Sequence, residues 1–282
     1  MTAGTDMEKT INEDYPDADA ISGKTMPSES YVDIHCHCLA GLDDGPSTGA
    51  EALALCSELA ADGIKNVIAT PHQLGRFNDC NDAGDIRAAV TNLNEELIAR
   101  DIRLRVMPGA DIRIDERICR LLEADRILTL ADGGKFILLE LPGEILIDIE
   151  PLLSELSDMG IQAVISHPER HRVLAKQPKI LVNWLGYSSH LQITAGSLLG
   201  EFGHEAEKAA WYLLNAGWVC LVATDSHDVA VRRPRMRAAF RRISMKLGEA
   251  TARLVCIDNP TRILEGHNLC DVCSLGTEKV ER

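Results

Sequence analysis

The chain has 282 residues, 45% of them hydrophobic and 26% charged, with a formal net charge of −14. That composition suits a globular domain and excludes a basic nucleic-acid footprint. No apolar run reaches the roughly 18 residues of a membrane span, and residues 1–30, rich in Asp and Glu without an apolar stretch, read as a disordered acidic leader rather than a signal peptide.

From residue 31 onward, short apolar runs alternate with helix-like stretches. The first run, 31–35, carries Asp33-Ile34-His35-Cys36-His37 at its end. Side chains alternate on an extended strand, so His35 and His37 share one face and Ile34, Cys36 and Cys38 are expected on the other. A loop with Asp43, Asp44, Gly45 and Pro46 follows, then the capping box Thr48-x-x-Glu51 before a helix that Gly63 stops. Run two, 65–70, ends in Pro71-His72, and a helix is expected near 84–100. Run three, 103–107, leads to Pro108-Gly109-Ala110-Asp111 and a helix over 115–124. Run four, 135–141, holds Glu140 and precedes a helix over 149–159. Run five, 161–166, ends in His167-Pro168-Glu169-Arg170, with a helix over 179–185. Run six, 190–194, continues into Ala195-Gly196-Ser197 and a helix over 204–216. Run seven, 218–224, ends in Asp225-Ser226-His227, and 234–264 reads mainly helical.

Seven β-then-α units without a linker point to one α/β domain over 31–266, a barrel of seven parallel strands, with a polar tail over 267–282. Nine scattered cysteines without a secretion signal favour reduced thiols in the cytoplasm. Cys270-x-x-Cys273 has no second pair and cannot close a tetrahedral site alone.

In a parallel barrel all strand C-termini open on one rim, which carries the active site. Six of the seven runs end in a His, Asp or Glu: His35 and His37, His72, Asp111, Glu140, His167, and Asp225 with His227. One such residue means little; all of them at equivalent positions mean a metal cluster. Glu140, inside Ile137-Leu138-Leu139-Glu140-Leu141, would be buried and needs a cationic partner. Five imidazoles and three carboxylates suit Mn, Fe or Zn, and eight ligands imply two or three ions. Such a cluster generates hydroxide near neutral pH, so hydrolysis of a phosphate ester is the expected chemistry. Arg170 and Arg232 suit phosphate oxygens, although spacing alone does not separate Arg232 from Arg233. Asp43 and Asp44 could orient a ligand, bind metal or act as general acid.

These motifs, with Leu42-Asp43-Asp44-Gly45, Ala69-Thr70-Pro71-His72, Leu139-Glu140-Leu141-Pro142 and Ala195-Gly196-Ser197-Leu198-Leu199-Gly200, occur in an order that resembles the polymerase-and-histidinol-phosphatase (PHP) superfamily. More closely, they resemble its bacterial manganese-dependent protein-tyrosine phosphatases of capsular and exopolysaccharide synthesis. The resemblance covers about 32 to 260 and implies a distorted seven-stranded TIM-like barrel, the PHP fold, with a trinuclear centre. By position it implies His35, His37, His72, Asp111, Glu140, His167, Asp225 and His227 as ligands and Arg170 and Arg232 as phosphate binders. Asp44 stands where the family has a loop aspartate near the cluster. The implied cofactors are two or three divalent ions, Mn foremost. The implied partner is the phosphotyrosine-bearing tail of a tyrosine autokinase, with no nucleic acid and no membrane insertion. A small-molecule phosphatase of the histidinol-phosphatase type is the alternative. Asp111 stands where the family usually has Glu, and His171 where Tyr is common. Cys256-x5-Arg262 has the spacing of thiol-based phosphatases but lacks glycine, contains Pro260 and places Asp258 against phosphate, so it is read as a turn at a helix start.

Overall fold

In the computed structural model, which describes residues 30–78 and 81–271, each apolar run becomes a parallel strand. The strands are β1 (Tyr31–Cys36), β2 (Ile64–Ala69), β3 (His72–Gln73), β4 (Arg105–Pro108), β5 (Asp111–Arg113), β6 (Phe136–Glu140), β7 (Gln162–Ser166), β8 (His190–Thr194) and β9 (Val219–Ala223). The leader expected over 1–30 falls, but for Ser30, outside the described residues, as do Cys273 and the tail from 272.

Seven runs yield nine strands because runs two and three are each broken once. Pro71, which lacks an N–H, ends β2 and β3 begins at His72; Gly109-Ala110 separates β4 from β5. A Cβ on Gly109 would sit 2.6 Å from the Ile68 side chain, so the break passes where only glycine fits. The breaks divide the barrel into a three-stranded sheet, β1-β2-β4, and a six-stranded sheet, β3-β5-β6-β7-β8-β9. The ring closes where β1 meets the end of β9. There His37 N–H donates to Ser226 O at 2.9 Å and Asp225 N–H to His35 O at 2.8 Å.

Two apolar clusters follow from this closed sheet. Val32, Ile34, Ile68, Leu138, Val164 and Leu221, from strands around the ring, pack inside the barrel. Cys36, Cys38, Leu55, Val67, Ile137 and Ile193 pack between the strands and the helices. Strict alternation along β1 would put Ile34 and Cys36 on one face, as the sequence suggested, and they are not. Three steps on β1, from Asp33 to Cys36, oppose two on β2, from Val67 to Ala69. This bulge inserts one residue and exchanges the faces, so Ile34 packs inward while Cys36 and Cys38 pack outward.

The expected helices form with small shifts. Thr48 and Glu51 make a reciprocal capping box ahead of the helix Gly49–Ala61, and Gly63 follows it with a φ of +99°. Asp82 caps Ala83–Ala99. The helix Ile118–Glu123 is shorter than expected, and a short helix, Ala195–Leu198, follows β8 where none was expected. Asn259-Pro260 opens the helix Asn259–Leu264 as expected, although no loop precedes it. A π-turn over Leu254–Asp258 runs directly into Asn259–Leu264, with Pro260 near the start of that segment, where its missing N–H costs little.

Candidate metal centre

The strand tips bring all eight expected side chains to one rim. Their donor atoms fall into four overlapping groups: His35, His167 and Asp225; His35, His37 and Asp111; His72, Asp111 and Glu140; and His37, Asp44, His72 and His227. Within each group the atoms lie within 4.8 Å of one another. His35 Nε2 stands 3.3 Å from Asp225 Oδ1 and 3.5 Å from Asp111 Oδ2. His72 Nδ1 stands 3.4 Å from Asp111 Oδ2 and 3.6 Å from Glu140 Oε2. His227 Nε2 and His72 Nε2 lie 3.3 and 3.5 Å from Asp44 Oδ1.

This arrangement fits cations better than it fits hydrogen bonds. Asp111 is fully buried, yet neither of its carboxylate oxygens has a hydrogen-bond donor. An unpaired buried carboxylate is costly, and imidazole nitrogens at such distances suit a shared ion. The electrostatics agree. Burial raises Glu140 to about 7, helped by the Asp111 charge. Burial also drives His72 down to about 4. His37 goes the other way, to about 10, because Asp43 and Asp225 overcome the cost of burying its charge. Asp225 is fully buried too, but Arg170, His35 and Arg232 hold it well below the usual carboxylate range. Bound cations would favour the deprotonated forms throughout.

The two loop aspartates divide the work that the sequence left open between them. Asp43 Oδ2 accepts from His37 Nδ1 at 2.5 Å and from His72 N–H at 3.1 Å, while its Oδ1 accepts from Gly45 N–H at 2.9 Å. A Cβ on Gly45 would lie 2.4 Å from His37 O, so the loop can close on β1 only with glycine there. Asp44 instead reaches His72 and His227 and is also paired with Arg76. On the opposite side Gln192 Oε1 lies 3.0 Å from His35 Nδ1. Sequence reasoning passed over Gln192, although a polar amide midway along the apolar run 190–194 was a signal. With Nδ1 of each ring engaged, Nε2 of both His35 and His37 is directed into the cluster, 3.2 Å apart.

Arg170 and Arg232 converge from β7 and β9. Each places Nη2 2.5 Å from Asp225 Oδ2, and each has a buried Nε without a hydrogen-bond partner. Arg233, which spacing alone does not separate from Arg232, is exposed and is not among the residues that line the cavity. Arg170 is further supported by Phe202, whose ring centre lies 4.7 Å from the guanidinium carbon. The Phe202 ring fits closely because residue 196 is glycine; a Cβ there would come within 3.0 Å of it. Run six, which supplies no His, Asp or Glu to the rim, thus leads into the segment that supports Arg170. The neighbouring Glu169 is fully buried and fastens this segment, accepting from Thr194 N–H at 2.8 Å and Ser197 Oγ at 2.7 Å.

Two rim residues also carry strained backbone. His167 has φ +33° and Asp225 φ +52°, left-handed values that cost of order 1–3 kcal/mol each in a non-glycine residue. A cavity of about 350 Å³ opens over the cluster, lined by Asp44, His72, Glu140, His167, Arg170 and Arg232 among others. His171 also lines it. Its Nδ1 accepts from the N–H groups of Val173 and Leu174, and its Nε2–H donates to Ile145 O at 3.2 Å.

The cysteines stand apart. Cys36, Cys38 and Cys56 are buried in the outer cluster, and no cysteine among the described residues joins the ligand groups. Cys256 is buried in the π-turn, and Arg262 donates to Asn268 O at 3.1 Å from the following helix, so the two form no phosphate cradle.

A closed parallel barrel with an oxygen- and nitrogen-donor cluster on its C-terminal rim defines a metal-centred α/β barrel protein of the PHP type. The chain belongs to the capsular polysaccharide synthesis CpsB/CapC family, whose model matches residues 31–265. It is 34% identical to the tyrosine-protein phosphatase YwqE of Bacillus subtilis over 218 residues, covering 77% of this chain and 85% of that one. It is 29% identical to the tyrosine-protein phosphatase CpsB of Streptococcus pneumoniae over 242 residues, covering 83% and 98%. A solved structure from work on these two proteins, described as unique metal-dependent tyrosine phosphatases, matches with a TM-score of 0.82 at 32% identity, covering 85% of this chain and 96% of that one. No helix among the described residues is long and apolar enough to cross a membrane.

Proposed function

We propose that this chain is a metal-dependent phosphomonoesterase of the tyrosine-phosphatase type. The observation that carries the reading is the meeting of two side-chain sets at one cavity. A carboxylate and imidazole cluster and two arginines with unpaired buried Nε–H groups border it together, joined at Asp225.

The ligands would be His35, His37, His72, Asp111, Glu140, His167, Asp225 and His227, holding two or three divalent ions, Mn foremost and Fe or Zn as substitutes. When bound, such ions make water acidic enough to supply hydroxide near neutral pH and offset charge on phosphoryl oxygens. The chain's own residues do the rest. Arg170 and Arg232 present N–H donors to the phosphate from one side and fix its orientation. Asp225 holds both guanidiniums at the mouth of the cluster. Asp43 and Gln192 keep His37 and His35 in the tautomer that directs Nε2 inward. Asp44, between His72 and His227 and 39% exposed on its side chain, is positioned to take part in proton transfer or to complete a ligand shell.

The substrate assigned is phosphotyrosine in the tail of a tyrosine autokinase that controls capsular or exopolysaccharide synthesis, met in the cytoplasm. The relatives' names and the family's place in capsule synthesis support this. The test is hydrolysis of a phosphotyrosine peptide by metal-stripped and Mn-reconstituted protein, with elemental analysis of both. Chelation should abolish turnover and Mn restore it, while thiol alkylation leaves it intact. Full activity in protein shown to be metal-free would refute the proposal.

A further inference from the structure

Nine large apolar side chains are exposed among the described residues, and five of them sit on two loops that rise from the site. Ile145, Leu146 and Ile147, 65%, 38% and 36% exposed, follow β6 and its Glu140 by a few residues. Val229 and Val231, 45% and 82% exposed, follow β9 and flank the turn that delivers Arg232. Both loops also line the cavity, through Gly143 and Arg232. The two are separated in the sheet by β7 and β8, so they stand on different flanks of the mouth.

Neither loop is loose. Arg172 N–H donates to Gly143 O at 3.0 Å, His171 donates to Ile145 O at 3.2 Å, and Arg172 pairs with Glu144 at 2.8 Å. On the other flank the Asp228 carboxylate accepts from the N–H groups of Ala230, Val231 and Arg232 at 2.6, 2.6 and 3.2 Å, and His227 N–H donates to Arg232 O at 2.9 Å. The backbone is thus tied down while the apolar side chains face solvent. Exposed aliphatic groups clustered at a site mark an interaction surface, and a fixed backbone lowers the entropic cost of using it.

We infer that these two apolar tips form a docking collar for the polypeptide that carries the phosphotyrosine, gripping apolar side chains within a few residues of it. The inference rests on the phosphatase reading above. Its occupant follows from continuity with the cavity: a chain whose phosphoryl group reaches Arg170 and Arg232 emerges beside the loops that line the same cavity through Gly143 and Arg232. A free small phosphoester has nothing to place against them.

The test uses the full-length, Mn-loaded protein and the variant Ile145→Ser/Ile147→Ser/Val231→Ser, with Val231→Ser alone as a milder change. Three substrates are compared: a phosphotyrosine peptide flanked by Leu and Val, the same peptide flanked by Ser and Gly, and p-nitrophenyl phosphate. The wild type should favour the apolar-flanked peptide. The triple variant should raise KM for that peptide about 10-fold, with Val231→Ser showing part of the rise, and abolish the preference. Its kcat/KM for p-nitrophenyl phosphate should stay within about twofold, since burying side chains remote from the reacting bond adds binding and not chemistry. An unchanged KM for the apolar-flanked peptide overturns the inference, as does an equal loss on all three substrates. Dissociation of a dimer by the substitutions with no change in peptide KM assigns the collar to self-association and also overturns it. A Mn-loaded wild type that hydrolyses none of the three defeats the phosphatase reading itself, a result distinct from the others.

Discussion

The outward and cavity-facing sides of the end of β1 differ in chemistry while sharing a backbone. On one side His35 and His37 meet Gln192, Asp43, Asp111 and Asp225. On the other, Cys36 and Cys38 pack beneath the helix that carries Cys56. All four residues are at most 1% exposed, so burial does not distinguish them. What differs is satisfaction. Ring nitrogens on the first side have oriented partners and face a carboxylate cluster. On the second side burial pushes the Cys36 thiol up to about 11, and its hydrogen bonding with Cys36 and burial hold Cys38 well above its ordinary value. Thiols so disfavoured as thiolates are poor nucleophiles and poor ligands. A buried position therefore becomes a site through what its neighbours can accept, not through depth.

Substitutions can break that contrast, and the largest effect belongs to the ligand side. His35→Ala or Glu140→Ala should lose at least one equivalent of metal by elemental analysis and more than about 100-fold in activity. A variant that retains full metal content would remove that residue from the ligand set.

Orienting residues should matter less than ligands. Asp43→Asn and Gln192→Leu should each weaken metal binding by roughly 10- to 100-fold, measured by titration of the stripped protein. Phe202→Leu, one step further out, should raise KM for a phosphoester several-fold with metal content unchanged, through a loosened Arg170.

A smaller, pH-dependent effect concerns stability. His190, at the start of the strand that carries Gln192, lies 2.8 Å from Gln162 Oε1, and burial lowers its pKa to about 4. Between pH 6.5 and about 4 the unfolded chain binds the proton and the folded chain does not. Stability attributable to this group is therefore complete above pH 6.5 and declines as pH falls, by roughly 2 kcal/mol at pH 5. His190→Gln should flatten that part of the slope in denaturant unfolding measured against pH; an unaltered slope would show that other groups cause it.

The smallest effect on activity belongs to the thiol side. Cys38→Ala should cost about 1 kcal/mol in stability through lost packing and leave metal-dependent turnover nearly untouched. A loss of metal in that variant would mean that the two sides are not chemically separate.

Much of this arrangement was legible in the chain. Apolar runs of strand length followed by helical patterns specify parallel strands, because such runs are buried on both faces. The position of His72, Asp111, Glu140, His167, Asp225 and His227 after those runs then specifies a rim, since parallel strands end on the same side. Local chemistry was equally plain at Thr48 and Glu51, where the cap depends on only four residues. Gln192 left only the mark of a polar amide in an apolar run, and Phe202 left none, because their importance lies in partners 157 and 32 residues away, at His35 and Arg170. Arg232 was inseparable from Arg233 until the Asp228 turn fixed which of them faces Asp225.

The sequence by itself determined that His35 and His37 lie together, since that follows from the pleat of any strand. It did not determine which side of the barrel they would occupy. Regular alternation would have placed His35 on the face of Asp33, which is bound to Thr224. The bulge between Asp33 and Cys36 reverses the order and sends both rings toward the cavity and the cysteines toward the helices. That residue of slack is set by pairing with β2 and by closure onto β9, contacts that exist only when the barrel is complete.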